Sequence, residues 1–173
     1  MKVGLEGLTI GALASRLDLS KSGLFAHFGS KEGLQLSTLK RAQALFQDRV
    51  FSVVPREPRG LPHLRALLST WLAVIERDDD PTCLVLSASA EYDGRPGMVR
   101  DLLVAGQREL RGAIVKAIRS AVEEGHFGPQ TDPWQLSFEL FGIVLAAHHD
   151  RRLFQDSRAV ARAKDAVDRL LRS

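Results

Sequence analysis

Apolar residues recur at intervals of three and four along almost the whole chain, and no segment sustains the period-two alternation of a half-buried strand. That regularity directs the chain to an all-α fold. Near the amino terminus Ile10, Leu13, Ala14 and Leu17 make one stripe. Thr9 stands before it as an N-cap, and Leu8 can staple to Leu13 across the cap. The device returns one unit later, with Ser20 as the cap and Leu19 and Leu24 as the staple. Ser30 opens a third helix, expected to run to about Phe51 with Leu39, Ala42, Phe46 and Val50 along one side.

Residues 53–62, "VVPREPRGLP", hold three prolines and a glycine and read as a linker. Five more helices are expected beyond it. They cover 62–77, 82–92, 97–124, 133 to about 151 and about 157–172. Asp132 caps the fourth of these, with Pro133 at its favoured first position. Residues 1–51 should therefore form a small head with the start of a connecting helix, and residues 52–173 a larger helical bundle.

Charge divides along the same line. Residues 1–50 hold seven Lys/Arg and four Asp/Glu, whereas residues 51–173 hold seventeen of each. The excess positive charge lies in the head, as suits a part that meets a polyanion. No apolar run approaches the roughly 20 residues that span a bilayer, and Cys83 is the only cysteine. A reducing cytoplasm fits both, and neither a membrane partner nor a cofactor is expected.

The stretch "SKSGLFAHF" (20–28) carries the chemistry of the head. Leu24 and Phe28 are an i, i+4 pair that faces its core. Ser22 and Ala26 then fall on the opposite side with Gly23 beside them, Phe25 and His27 flank them, and Lys21 projects from the helix start. Two readings fit so small and polar a face. One is an ordinary surface helix poor in charge. The other is a helix lying deep in a major groove, where small residues let the backbone approach base edges.

Helix, short turn, short helix and then a long helix beginning "SKEGL" is the helix-turn-helix order. Residues 8–46 resemble the DNA-binding domain of TetR-type bacterial transcriptional regulators. The match runs through Thr9, Ile10, Leu13, Ala14, Leu17, Leu19, Ser20, Lys21, Gly23, Leu24, Phe28, Lys31, Glu32 and Leu34. The resemblance implies that Thr9 and Lys31 touch phosphates of double-stranded operator DNA. By the same token Ser20, the cap of the recognition helix, belongs to the DNA-binding set, Lys21, Ser22 and Gly23 lie against base edges, and Phe25 and His27 sit on the DNA backbone. Phe25 stands where the family usually has tyrosine, so its ring can pack on sugar but cannot hydrogen-bond a phosphate. The family also has another helix ahead of Thr9. Only "MKVGLEGL" precedes it here, so the reading expects that first helix to be missing and Leu13, Leu17 or Phe28 to be exposed.

The body shows no phosphate loop, no His-Glu-x-x-His and no nucleophile elbow, so no enzyme is expected. His148 and His149 are adjacent, diverge by about 100° on a helix and cannot easily share a metal. With Arg151 and Arg152 they complement a helix end. Asp78, Asp79 and Asp80 read as a solvated turn and Cys83 as a small core residue. Trp71, Met98, Trp134, Phe138 and Phe141 are either plain core or the lining of a cavity for an apolar small-molecule effector. Residues 133–150 carry two apolar stripes. One is Trp134, Phe138, Phe141 and Leu145; the other is Leu136, Leu140, Ile143, Val144 and Ala147. A helix apolar on two sides needs two partners, its own body and a second chain. The resemblance implies a homodimer formed by the last two helices, which places Ile143, Ala147, Val160, Ala163, Val167 and Leu170 at the seam. The expected whole is a ligand-responsive regulator, a repressor. The alternative is an all-helical ligand-binding dimer that no longer grips DNA tightly because the first helix is absent.

Overall fold

The computed structural model describes residues 4–51, 57–77 and 80–172. Among these residues there are eight α-helices and no strand. The helices are α1 (Ile10–Leu17), α2 (Lys21–Phe28), α3 (Lys31–Phe51), α4 (Leu61–Glu76), α5 (Leu84–Tyr92), α6 (Met98–Glu123), α7 (Pro133–Leu153) and α8 (Ala159–Leu170). The all-α expectation holds. Part of the expected linker, residues 53–56, lies outside the described residues, as do Asp78 and Asp79.

Side-chain caps set the starts of α1, α2, α3 and α7. The Thr9 hydroxyl accepts from the Ala12 N–H at 3.1 Å, and Ser20 and Ser30 accept from Gly23 and Gly33 at 3.1 and 3.0 Å. Asp132 accepts from both Trp134 and Gln135. Two ends differ from the sequence reading. The segment expected over 82–92 opens as a 3-10 turn, Pro81–Cys83, before α5 begins. The last helix starts later than 157, because Gln155 adopts a φ of 55° and the Asp156 carboxylate takes the Arg158 N–H at 2.8 Å.

The chain folds as two compact units that do not follow linear order. One comprises Met1–Leu45 and Pro81–Gly106, the other Phe46–Asp80 and Gln107–Ser173. In the first, Leu5, Leu39, Ala42, Leu84, Ala88, Tyr92, Val99 and Leu103 form a buried cluster. In the second, α4, α7 and α8 pack on one another. Trp71, 1% exposed, is central there, with ring contacts to Phe46 at 5.7 Å and Phe141 at 5.6 Å. Each such buried apolar side chain contributes about 1.5–3 kcal/mol.

Asp80 is not solvated. Its side chain is 1% exposed and ion-paired with Arg49 within the second unit. A buried carboxylate is costly to leave without partners, and Arg49 supplies one. Cys83 is buried, as expected.

Candidate DNA-binding and effector sites

Helix α2 has no buried residue. Leu24 and Phe28 are half-buried on one side, while Lys21, Ser22, Gly23, Phe25, Ala26 and His27 are all exposed. The small outward face read from the sequence is therefore open to a partner. Phe25 is 59% exposed, and His27 packs edge-on to Phe28 at 4.6 Å. Ser20 has its oxygen committed to the Gly23 N–H and takes a longer bond from the Ser22 hydroxyl at 3.4 Å. Thr9 is likewise an exposed cap. Of the head's apolar residues, Leu17 is 53% exposed, and Leu13 and Phe28 are half-buried.

Gly33 fixes how α2 meets α3. A Cβ at this position would stand 2.1 Å from the Phe28 carbonyl oxygen, an impossible approach to backbone. Only glycine lets the last turn of the recognition helix lie so close to the first turn of α3. The glycine was visible in "SKEGL", but nothing in its spacing told of Phe28.

Lys31 does not stand free. Its ammonium donates to Glu6 Oε1 at 2.8 Å. The Tyr92 hydroxyl donates to Glu6 Oε2 at 2.8 Å, and Arg95 lies 3.1 Å from the same oxygen. The hydrogen bonds from Lys31 and then Tyr92 hold the Glu6 carboxyl down at about 2. Burial, and then the bond to Glu6, pushes the Tyr92 phenol up to about 12. The neighbouring backbone is pinned as well. The Leu5 and Glu6 N–H groups donate to the Glu91 carboxylate, and buried Gln35 donates to the Leu5 carbonyl at 3.0 Å. Sequence reasoning missed Glu6, Gln35 and Glu91 because the partners lie 25 to 86 residues apart.

The five residues read as an effector pocket are not gathered into one. Trp71 and Phe141 touch inside the second unit, and Arg111 lies 4.1 Å over the Phe141 ring. Trp134 and Phe138 face outward at 59% and 63% exposed. Met98 belongs to the other unit and is exposed. The second unit has a cavity elsewhere, of about 610 Å³, between α4 and the carboxyl-terminal half of α6.

The residues read as the dimer seam are mostly interior. Ala147, Val160, Ala163 and Val167 are 3–6% exposed, covered by the chain's own packing, and Ile143 and Leu170 are half-buried. The α8 stripe is thus packed within the body, while Ala161, Arg162, Lys164, Asp165 and Arg169 of the same helix are exposed. On α7 the stripe of Leu136, Leu140, Val144 and Ala147 is buried, whereas Trp134, Phe138 and Leu145 of the other stripe are open. His148 is half-buried, and His149 is exposed against Asp150 at 3.1 Å.

Residues 60–167 match the family described as "Tetracyclin repressor-like, C-terminal domain", and residues 1–37 match "Bacterial regulatory proteins, tetR family". No curated protein matches the chain. The fold is similar to that of a TetR transcriptional regulator from Chloroflexus aurantiacus J-10-FL, with a TM-score of 0.85 and 22% identity over 98% of this chain and 84% of that one. It is also similar to SCO4454, a TetR-family transcriptional regulator from Streptomyces coelicolor, with a TM-score of 0.83 and 18% identity over 97% and 85% of the two chains. AibR, solved with isovaleryl coenzyme A and operator DNA, gives a TM-score of 0.75 and 23% identity over 96% and 88%. Among the described residues no helix is long and apolar enough to cross a membrane.

Proposed function

This chain belongs to the TetR family of bacterial regulatory proteins, and on that premise we propose that it is a ligand-responsive, DNA-binding transcriptional repressor and not an enzyme. Residues 1–51 act as the DNA-binding part and 52–173 as the ligand-binding and dimer-forming part, in the cytoplasm. The observation that carries this reading is the exposed face of α2, where Ser22, Gly23 and Ala26 keep side-chain bulk low and Lys21 stands at the helix start. A helix so bordered can enter a major groove with its first turn against base edges. Lys31, at the start of α3, reaches a phosphate by exchanging Glu6 for it. Thr9 and His27 add polar contacts to the DNA backbone, and Phe25 packs on sugar.

The protein acts as a homodimer through the open stripe of α7. Trp134, Phe138 and Leu145 lie on one helical face, and Leu153 and Phe154 are 64% and 65% exposed at its carboxyl-terminal end. A row of exposed large apolar side chains along one helix marks an interaction surface. A two-fold dimer would hold two recognition helices about one DNA turn, or a multiple of it, apart, so the operator is a palindrome.

AibR was crystallised with both a small molecule and operator DNA, and a protein of similar fold that holds both supports the same pairing here. The test is fluorescence anisotropy with DNA from immediately upstream of the gene and with random DNA. The expected result is tighter binding to one palindromic segment. Equal affinity for every sequence would overturn the assignment. A second reading, a ligand-binding dimer with a weak grip on DNA, draws on the 53% exposure of Leu17 and the lack of any buried residue on α2. Under that reading, affinity for the upstream segment stays at the non-specific level.

A further inference from the structure

The cavity of about 610 Å³ in the second unit has a two-part lining. Phe51, Leu67, Ala113 and Ala117 supply an apolar floor. His63 of α4, Lys116, Arg119 and the Glu123 carboxylate of α6, and Arg59 just ahead of α4 stand around it. The α6 positions 113, 116, 117 and 120 are i, i+3, i+4 and i+7, so one helical face presents alanine to the floor and lysine to the rim. The volume lies within the range of small-molecule sites, about 300–1,000 Å³.

The rim has unspent positive charge. Arg59 is paired with Glu123 at 3.2 Å and approaches Glu124 at 3.7 Å. Elsewhere in the same unit Arg49 pairs with Asp80, Arg65 with Asp168, and Lys164 with Glu76. Among the described residues, Lys116 and Arg119 have no carboxylate within ion-pair distance. His63 reports the local field: burial, and then the charge of Lys116, pulls its pKa below the ordinary histidine value. A cavity with apolar walls and an unbalanced cationic mouth favours a ligand whose shape repeats that division.

We propose that this cavity is the effector site and that the effector is an amphipathic anion. Its apolar body lies on Phe51, Leu67, Ala113 and Ala117, and its anionic head lies between Lys116, Arg119 and His63. The ligand class thus differs from the purely apolar effector that the sequence suggests. A neutral hydrophobe would make no use of the rim cations, and a small inorganic anion would make no use of the apolar floor. The inference rests on the reading of the body as ligand-binding, and it names the chemistry of that ligand.

The full-length protein is titrated with octanoate, octyl phosphate and octanol by calorimetry, with the His63 ring followed by NMR. Both anions are expected to bind about tenfold more tightly than octanol, the scale of one charge-assisted hydrogen bond. The two anions differ only in which head group the rim prefers. Lys116→Gln and Arg119→Gln should each weaken the anions by several fold and leave octanol unchanged. Both residues are exposed, so the variants should fold. The anions should also raise the His63 pKa, because a negative charge beside the ring favours its protonated form. Octanol binding as well as octanoate, or unchanged anion binding in the Lys116→Gln/Arg119→Gln double variant, would overturn the proposal. Operator release is measured separately. If the anions bind and move His63 but DNA stays bound, the site stands and the regulatory reading falls.

Discussion

The Lys31 ammonium lies 2.8 Å from Glu6 Oε1, so the lysine expected to meet a DNA phosphate already has an anionic partner within its own chain. Both side chains are nearly half exposed, at 44% and 45%. Water screens a pair this exposed, so it adds little to stability. A phosphate at a helix N-terminus competes well against so weak a bond. Glu6→Gln should therefore tighten DNA binding by at most a few fold. Lys31→Ala should weaken specific and random DNA about equally and lower the salt slope by roughly one unit. Anisotropy titrations across a series of salt concentrations read both effects, and an unchanged slope in Lys31→Ala would remove Lys31 from the phosphate. Acid does not open this pair near neutrality. A carboxyl held at about 2 makes its full contribution above its unfolded value near 4.5 and loses it only as pH falls toward 2.

Gly33→Ala tests the packing of α2 on α3. The added methyl meets the Phe28 carbonyl at 2.1 Å, so one helix must move. Overpacking of this kind costs about 1–3 kcal/mol. Specific DNA binding should fall sharply, with faster amide exchange in α2 and in the first turn of α3. Wild-type exchange and affinity would show that the two helices have room to separate.

The histidines of the second unit predict an acid-sensitive body. Burial is the main cause that lowers the pKa of both His63 and His148, helped by Lys116 at the first and by Arg152 and His149 at the second. Below about pH 6.5 the unfolded chain binds protons at these sites that the folded chain resists, so stability falls as pH drops. Above that value both states are neutral and the contribution vanishes. Denaturant titrations between pH 5 and 8 should show this slope. A His63→Gln/His148→Gln variant should flatten it, and an equal slope in the variant would assign the effect to other groups.

Trp134→Glu and Phe138→Glu place charge on the open stripe of α7 and should yield folded monomers with weak operator affinity. Ala163→Asp, on the stripe read from sequence as the seam, should act differently. Ala163 is 5% exposed inside the chain's own packing, and a buried, unpaired carboxylate costs several kcal/mol. That variant should melt early instead of dissociating cleanly. Light scattering and thermal unfolding together separate the outcomes. Dimers that persist in both glutamate variants would move the interface off α7.

The elements that could be read from the sequence are those set by neighbouring residues. Thr9, Ser20, Ser30 and Asp132 cap the helices they were expected to cap, because an N-cap needs only a side chain and an N–H two or three residues on. Periodicity found the stripes but not what covers them. A helix with one stripe can satisfy one partner, and α8 spends its stripe on its own body. The two stripes of α7 were visible in the sequence, and in the fold one is buried while Trp134, Phe138 and Leu145 of the other are open. The ion pairs of Glu6 with Lys31 and of Asp80 with Arg49 join residues 25 and 31 apart. No local pattern announces such pairs. The cationic rim was hidden for the same reason, since Lys116 and His63 meet only once α4 and α6 are packed.

The close approach at Gly33 has a hereditary side. Every codon for glycine begins with two guanines, so any change at either base replaces glycine or ends the chain, and every replacement residue carries at least the Cβ that Phe28 forbids. The head therefore has no neutral amino-acid neighbour at this position. In a collection of spontaneous mutants selected for lost regulation, codon 33 should recur far more often than its exposed neighbour Glu32, whose side chain can change without pressing on the recognition helix.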